Sequence, residues 1–429
     1  MAINASDVLM IARLGSEKLA ASVLSFNMWM LLWFFGMGII QAVIPLGAQA
    51  RGRKEPRDFR RVVRMGLWMS ALYCIPAWCV TAYTGPIFIF LGQDPAVSAL
   101  AAEYMTALQW GLFPALAIMA IRGFLTVMGY TGVILTATLL GVVINVVLNY
   151  VLIFGHFGFP RLELVGAGIA SVLASSMSLL FFIFYVLWER RLRRYTIFGR
   201  LWRPDVVYLI KILKMGLPIG VTLIAEAGLF AGSTILVGWL GTQQLAAHGV
   251  AVQIVSMTFM VPVGLSQASL TRVGYAAGRR NDDAVARAGW SALGVTLLIM
   301  LCFAVVFWTV PEFLVSLYLN PADPNAPEVL GYATSFLAVA AIFQLFDGGQ
   351  IIGVNNLRGI GDAKVPLAFA IFGYWFIGFS LSLGLGFGLN WGGVGIWCGL
   401  AGGLAFVALA TNIRFFLRRT LRHYTAYAF

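Results

Sequence analysis

Leu14 to Ala21 reads LGSEKLAA, and Leu240 to Ala247 reads LGTQQLAA, 226 positions further on. The same offset carries Gly52-Arg53-Lys54 onto Gly278-Arg279-Arg280. Later in the chain, Gly166-Ala167-Gly168-Ile169 meets its counterpart in Gly393-Val394-Gly395-Ile396. An offset near half of the 429 residues means two copies of one unit.

Composition says what that unit is made of. Apolar residues make up 60% of the chain and charged residues 11%, against about 45–50% and about 25% in a soluble domain. Such a chain has too little polar surface for water, so lipid must cover most of it. The hydrophobic runs have membrane-spanning length, roughly 20 residues each. The alternating polarity of a β-barrel is absent, so the spans are helices. Breaks at Gly, Pro and charge clusters predict eleven helices, at 22–50, 61–84, 100–127, 131–154, 163–188, 209–239, 244–275, 285–310, 328–356, 364–388 and 392–417. A short twelfth candidate covers residues 1–12.

Twelve helices give six per copy. An even number brings both copies into the membrane with the same orientation, as parallel repeats about an axis along the membrane normal. The expected fold is all-α and polytopic, with two parallel-repeat six-helix lobes. Residues 1–195 form the N-terminal lobe, 196–207 a cytoplasmic linker and 208–429 the C-terminal lobe. Helix 1 is expected to be truncated. The helix before LGTQQLAA runs from about Lys214 to Trp239, whereas its counterpart before LGSEKLAA keeps only about a dozen residues. That is roughly 18 Å, short of a hydrocarbon core of roughly 30 Å. A start codon assigned too far downstream would produce this.

The basic residues set the orientation. They cluster at Arg51–Arg64, Arg190–Lys214, Arg272–Arg287, Arg358 with Lys364, and Arg414–Arg422. Together with Arg122 these fall on alternate connections, and only Arg13, Lys18 and Arg161 fall on the others, leaving 26 of 29 on one side. The positive-inside rule makes that side cytoplasmic and both termini with it. It also explains the net charge of +12 without a nucleic-acid partner. No cleavable signal peptide is expected, because Met1 leads into a mixed segment without a basic start. The expected location is a bacterial inner membrane, crossed many times. Cys74, Cys79, Cys302 and Cys398 lie in apolar runs without zinc-type spacing and read as packing residues.

Of 17 acidic residues, three sit well inside hydrophobic runs: Asp7, Glu226 and Asp347. A carboxylate at such depth costs about 2.5–3.5 kcal/mol on insertion scales and usually marks an ion or substrate pathway. No Lys or Arg is expected at comparable depth to pair with them. An unpaired carboxyl in an apolar site takes up a proton readily or holds a metal or organic cation. The bland alternative is a neutral carboxylic acid hydrogen-bonding between helices. Asn145 and Asn149 are spaced i, i+4 and share one helix face. They either line a cavity or clamp a neighbouring helix. Phe343 and Gln344 lie one turn before Asp347, where a ring face could meet a cation, although packing is the commoner role for Phe. His248 reads as structural. Pro45, Pro218 and Pro262 fall within spans, where each frees a backbone carbonyl and permits a bend.

Walker, zincin and nucleophile-elbow motifs are absent, and with three His a metal-dependent enzyme is not expected. Energy must come from a gradient. One charge crossing about 150 mV yields about 3.5 kcal/mol, enough for an accumulation ratio of several hundred.

The residues at this point resemble the multidrug and toxic compound extrusion (MATE) transporters, in their NorM-like branch. Ser6-Asp7-Val8-Leu9-Met10 before LGSEKLAA, Pro45 through Gly52, and Asn145 to Asn149 leading to Phe154-Gly155 carry the likeness in the first half. Gly216-Leu217-Pro218 through Glu226, LGTQQLAAHGVA, and Leu357-Arg358-Gly359-Ile360-Gly361-Asp362 carry it in the second. The resemblance implies a V-shaped pair of lobes around a central cavity, no cofactor, and H⁺ or Na⁺ as coupling ion. It implies cation coupling by a helix 7 glutamate and a helix 10 aspartate, which match Glu226 and Asp347, with Na⁺ held there if that is the ion. The helix 1 aspartate matches Asp7, and the asparagines match Asn145 and Asn149. Many relatives carry Tyr where Phe343 stands, so one hydroxyl ligand for Na⁺ is missing. The expected activity is antiport of H⁺ or Na⁺ against amphipathic organic cations, by a single chain that works as a monomer. A lipid-linked saccharide flippase on the related fold is the alternative, although such proteins need cavity cations for pyrophosphate. An intramembrane enzyme or a receptor finds no catalytic constellation here.

Overall fold

The computed structural model describes residues 2–156, 158, 160–320 and 323–418, with the backbone alone for residues 2–6. Arg419 and Arg422 of the last basic cluster lie outside the described residues. Every regular element among the described residues is helical. Among the described residues a short helix, α1 (Ala2–Ile11), precedes eleven helices long and apolar enough to cross a membrane. These are α2 (Ser16–Gly52), α3 (Pro56–Ala82), α4 (Pro95–Met128), α5 (Thr131–Phe154), α6 (Glu163–Trp188) and α7 (Val206–Gly238). They continue as α8 (Thr242–Gly278), α9 (Asp282–Thr309), α10 (Ala326–Gly359), α11 (Lys364–Gly388) and α12 (Gly392–Phe416). The hydropathy reading thus recovers each span, and its errors are a few residues at the ends.

Local chemistry sets several of those ends. Pro56 and Pro95 open α3 and α4, where the missing N–H costs nothing. Asp94 caps α4 by accepting from the Ala96 and Val97 amides, at 2.7 and 3.4 Å. Helix α2 is interrupted by a turn at Ala42, between segments ending at Gln41 and starting at Val43. Pro45 is the cause, because it has no N–H to return to the Gln41 carbonyl. Pro218 and Pro262 are carried inside continuous helices.

The repeat is written into the backbone as well. Gly15 and Gly241, equivalent residues of the two LG motifs, have φ 116° and 123°, which a side chain would strain. Lys54 and Arg280 are both left-handed, at φ 61° and 53°. Glu163 and Asn390 form a third such pair, at 49° and 56°, just before the two Gly-x-Gly-Ile stretches. Non-glycine residues adopt this conformation uncommonly, so its recurrence in register marks two copies of one unit.

Chain contacts divide the protein into two compact units. The first contains the described residues up to Gly47 together with Glu55–Gly220; the second contains Ala48–Lys54 and the described residues from Val221 onward. In the first unit α1 packs on α5 and α6, and α4 packs on α2, α3 and α6. Ile11, Tyr104, Leu108, Ile153 and Leu164 form a core there. At one end of this unit, Glu163 pairs with Lys18 and, at 3.4 Å, with Arg161. Two of the three cations assigned to the non-cytoplasmic side are therefore matched by an acid.

In the second unit α10 is the central helix, in contact with α8, α9 and α12. Its Phe336 and Phe343 are buried in one core with Tyr374, Trp397 and Leu400. Helix α12 approaches α11 through Gly395, Gly399 and Gly403, a small-residue ridge of the kind that lets membrane helices meet backbone to backbone. Helix α11 is π-helical over Phe372–Gly378 and again over Gly384–Gly388. All four cysteines are free thiols.

Candidate functional site

In the first unit the site grows from the two faces of α5. Leu135, Leu139, Val143 and Val147 are exposed along one face, while Asn145 and Asn149 are fully buried on the other. The helix is inverted relative to a soluble one, with apolar residues outward and amides inward. Buried amides need partners, and α1 supplies one. Asp7, only 7% exposed, accepts from the Asn149 side-chain amide. Its second oxygen accepts from the Ser171 hydroxyl of α6 at 3.3 Å. The Asn149 amide also donates to Asn145 Oδ1 at 3.2 Å, and Asn145 donates to Ser171 at 3.4 Å. Three helices thus meet at one carboxyl that neutral donors surround. Asn149 Oδ1 is buried without a hydrogen-bond partner among the described residues. Asp7, Asn145 and Asn149, proposed separately from sequence, form one cluster. Ser171 was missed, and its only signal was a serine two residues past the Gly-x-Gly-Ile stretch of α6.

The second unit builds its site along α10. From Asp347 to Ile360 every residue except Ile351 is buried, although this stretch contains Asp347, Gln350, Asn355, Asn356 and Arg358. Glu226 of α7 is partly exposed and accepts from Gln350 Nε2 at 3.4 Å. Gln350 lies one turn after Asp347, and the two carboxyls are within electrostatic reach of each other. Asp347 Oδ1 is buried without a hydrogen-bond partner among the described residues. Gln350 Oε1 in turn accepts from the Tyr374 hydroxyl of α11 at 2.9 Å. The two carboxyls foreseen from sequence are therefore neighbours, and Glu226 is bonded by a glutamine, itself bonded by a tyrosine, that the sequence did not single out.

The accompanying residues divide by their contacts. Phe343 is fully buried, with its ring at 5.6 Å from Trp397 and 6.3 Å from Phe230, both T-shaped. Gln344 accepts from Thr258 at 3.2 Å and donates to the Met300 carbonyl at 3.4 Å. His248 lies 3.2 Å from the Thr234 hydroxyl and edge-on to Trp397.

One basic residue lies elsewhere than the charge breaks suggest. Arg358, counted with a cytoplasmic connection, is 5% exposed in the last turn of α10 and donates to Asn355 Oδ1 at 3.3 Å. The helix simply runs on past the point where charge ended the hydrophobic run. At 1.5 Å per residue Arg358 sits roughly 16 Å along the axis from Asp347. It forms no ion pair with either carboxyl among the described residues.

An apolar cavity of about 340 Å³ also lies in this unit, between α9, α10 and α12, lined by residues such as Trp290, Leu297 and Phe416. It shares no residue with the carboxyl cluster. Among the described residues no three His, Cys, Asp or Glu side chains converge as a metal cage would require.

The MatE family model matches residues 1–151 and 218–383. The chain belongs to the MatE family. Both matched segments carry clusters described above: Asp7, Asn145 and Asn149 in the first, Glu226, Asp347, Gln350 and Tyr374 in the second. Among relatives, a probable multidrug resistance protein NorM of Rhizobium meliloti (strain 1021) is 42% identical over 426 residues, 99% of this chain and 91% of that protein. Another of that name, from Agrobacterium fabrum (strain C58), is 40% identical over 417 residues, 97% of this chain and 90% of its own length. The MatE chain also shares its fold with a MATE protein crystallised in the bent conformation. That likeness has a TM-score of 0.87 at 21% identity and covers 98% of this chain and 91% of the other.

Proposed function

We propose that this protein is a secondary active multidrug exporter that exchanges H⁺ or Na⁺ for amphipathic organic cations across a bacterial inner membrane. The observation that carries this reading is the pair Glu226 and Asp347, within electrostatic reach of each other in one unit and in no ion pair with a basic residue among the described residues. A carboxylate among neutral donors can accept and release a cation, whereas one locked to an arginine cannot do so cheaply. The orphaned Asp347 oxygen supplies an acceptor for an incoming proton or ion. Asp7, with Asn145, Asn149 and Ser171, is a second coupling position of the same character in the other unit. Relatives named as multidrug resistance proteins over nearly the full chain support the substrate class.

Coupling follows if drug and ion favour opposite states of alternating access or compete for the carboxyls, so that one leaves as the other binds. The reading includes cytoplasmic termini and function as a monomer. The flippase reading would require cations facing the cavity. Arg358 is instead held on Asn355 near one end of α10, while the middle of that helix presents carboxyl and amide groups. The test is ethidium efflux from cells expressing the protein, with proton and sodium gradients imposed separately. Gradient-dependent efflux that Glu226→Gln and Asp347→Asn abolish supports antiport. Full efflux from both variants would sink it.

A further inference from the structure

Tyr374 is fully buried, hydrogen-bonded, and carried by a π-helical turn, none of which the reading above uses. The π-helical segment Phe372–Gly378 lies between α-helical stretches, Lys364–Ile371 before it and Phe379–Leu383 after it. Such insertions are uncommon and frequent at functional sites, because they rotate the side chains that follow. Here the insertion carries a hydroxyl to Gln350 Oε1 at 2.9 Å.

A glutamine amide has one accepting and one donating end, so whatever fixes one end decides what the other presents. With Tyr374 donating to its oxygen, Gln350 must turn its NH₂ toward Glu226, where Nε2 lies 3.4 Å from Oε1. An N–H directed at a carboxylate favours the ion-free carboxylate. It competes with a proton on that oxygen, and it keeps the amide oxygen from becoming a ligand to a metal cation. The reverse orientation would offer that oxygen to protonated or Na⁺-bound Glu226, but the Tyr374 hydroxyl would then have to accept and find a new partner for its own proton. The other charged and titratable neighbours are Asp347 and Arg358, on α10 itself. On α8, His248 is engaged with Thr234.

We propose that Tyr374 is a positioning residue that acts through Gln350, holding the amide donor toward Glu226 and so promoting release of the coupling ion. This inference rests on the coupling role of Glu226 and adds the device that empties it.

The experiment uses the purified full chain in liposomes, with ethidium as substrate and either a sodium or a proton gradient imposed. Wild type, Tyr374→Phe, Gln350→Leu, the double variant and Glu226→Gln are compared for maximal rate and for the ion concentration giving half of it. Removing one oxygen in Tyr374→Phe frees the amide to turn over. The expected result is an about 3- to 10-fold lower half-saturating ion concentration without a higher maximal rate, the scale of one net hydrogen bond. In the Gln350→Leu background the same substitution has no further effect, because the relay is already cut. A merely structural hydroxyl would lower the unfolding midpoint and act equally in both backgrounds. Gln350→Met replaces Gln350→Leu if the latter fails to fold. An unchanged or raised half-saturating concentration in Tyr374→Phe, or equal effects in the two backgrounds, overturns the proposal while Glu226→Gln remains inactive. Full efflux from Glu226→Gln would overturn the coupling reading itself.

Discussion

Asn149 donates to both Asp7 and Asn145, and losing that amide should be felt at all three residues. Asn149→Ala leaves the Asp7 carboxyl the Ser171 hydroxyl, a donor at 3.3 Å, and opens a void between helices. The expected cost is about 1–3 kcal/mol, from a buried group left under-satisfied. Ethidium efflux should fall with it, and thermal unfolding in detergent reads the stability term. An unfolding midpoint and efflux equal to wild type would show that the amide pair does not support Asp7. The carboxyls were legible in the sequence because a charge inside a hydrophobic run is costly and therefore rare. The neutral partners were not. A serine such as Ser171 or a glutamine such as Gln350 is unremarkable within a span, and only packing shows which polar neighbour it meets. Arg358 was misplaced for the opposite reason: a charge near the end of an apolar run reads as a connection, although the helix continues through it.

Helices in lipid gain little from excluding water, so their contacts depend on how closely backbones approach. At Gly395 an added Cβ would lie 2.6 Å from the Leu385 carbonyl carbon and oxygen and 2.7 Å from the Gly386 nitrogen. All three contacts are backbone, so no side chain can move aside, and Gly395→Ala should cost about 1–3 kcal/mol. Gly294, on an exposed position of α9, has nothing within 4 Å. Gly294→Ala should instead stabilise by about 0.5–1 kcal/mol through helix propensity. Opposite shifts of the unfolding midpoint are thus expected from the same substitution, and shifts of the same sign would contradict the packing described for α12. Hydropathy and the charge breaks were enough to find the spans. They carried no information on the π-helical turns of α11, because an i→i+5 segment has no strong composition signature and changes side-chain direction without changing hydrophobicity. That is why Tyr374 escaped a reading based on apolar runs.

At the scale of the molecule, the uneven arginine distribution predicts which connections face the cytoplasm. In a cysteine-free background, a cysteine at Arg194 should resist a membrane-impermeant thiol reagent added to intact cells, and one at Gln93 should react. The reverse pattern would invert the topology. The repeat was readable both as sequence and as three matched left-handed backbone positions, because tight helix connections constrain residue type and conformation together. The central claim is that Glu226 and Asp347 couple an ion gradient to export. The most direct test is ethidium efflux from proteoliposomes containing the wild type, Glu226→Gln or Asp347→Asn, with only a sodium or only a proton gradient present. The account predicts efflux by the wild type under at least one gradient and none by either folded variant under both. Undiminished gradient-driven efflux from both variants would contradict it.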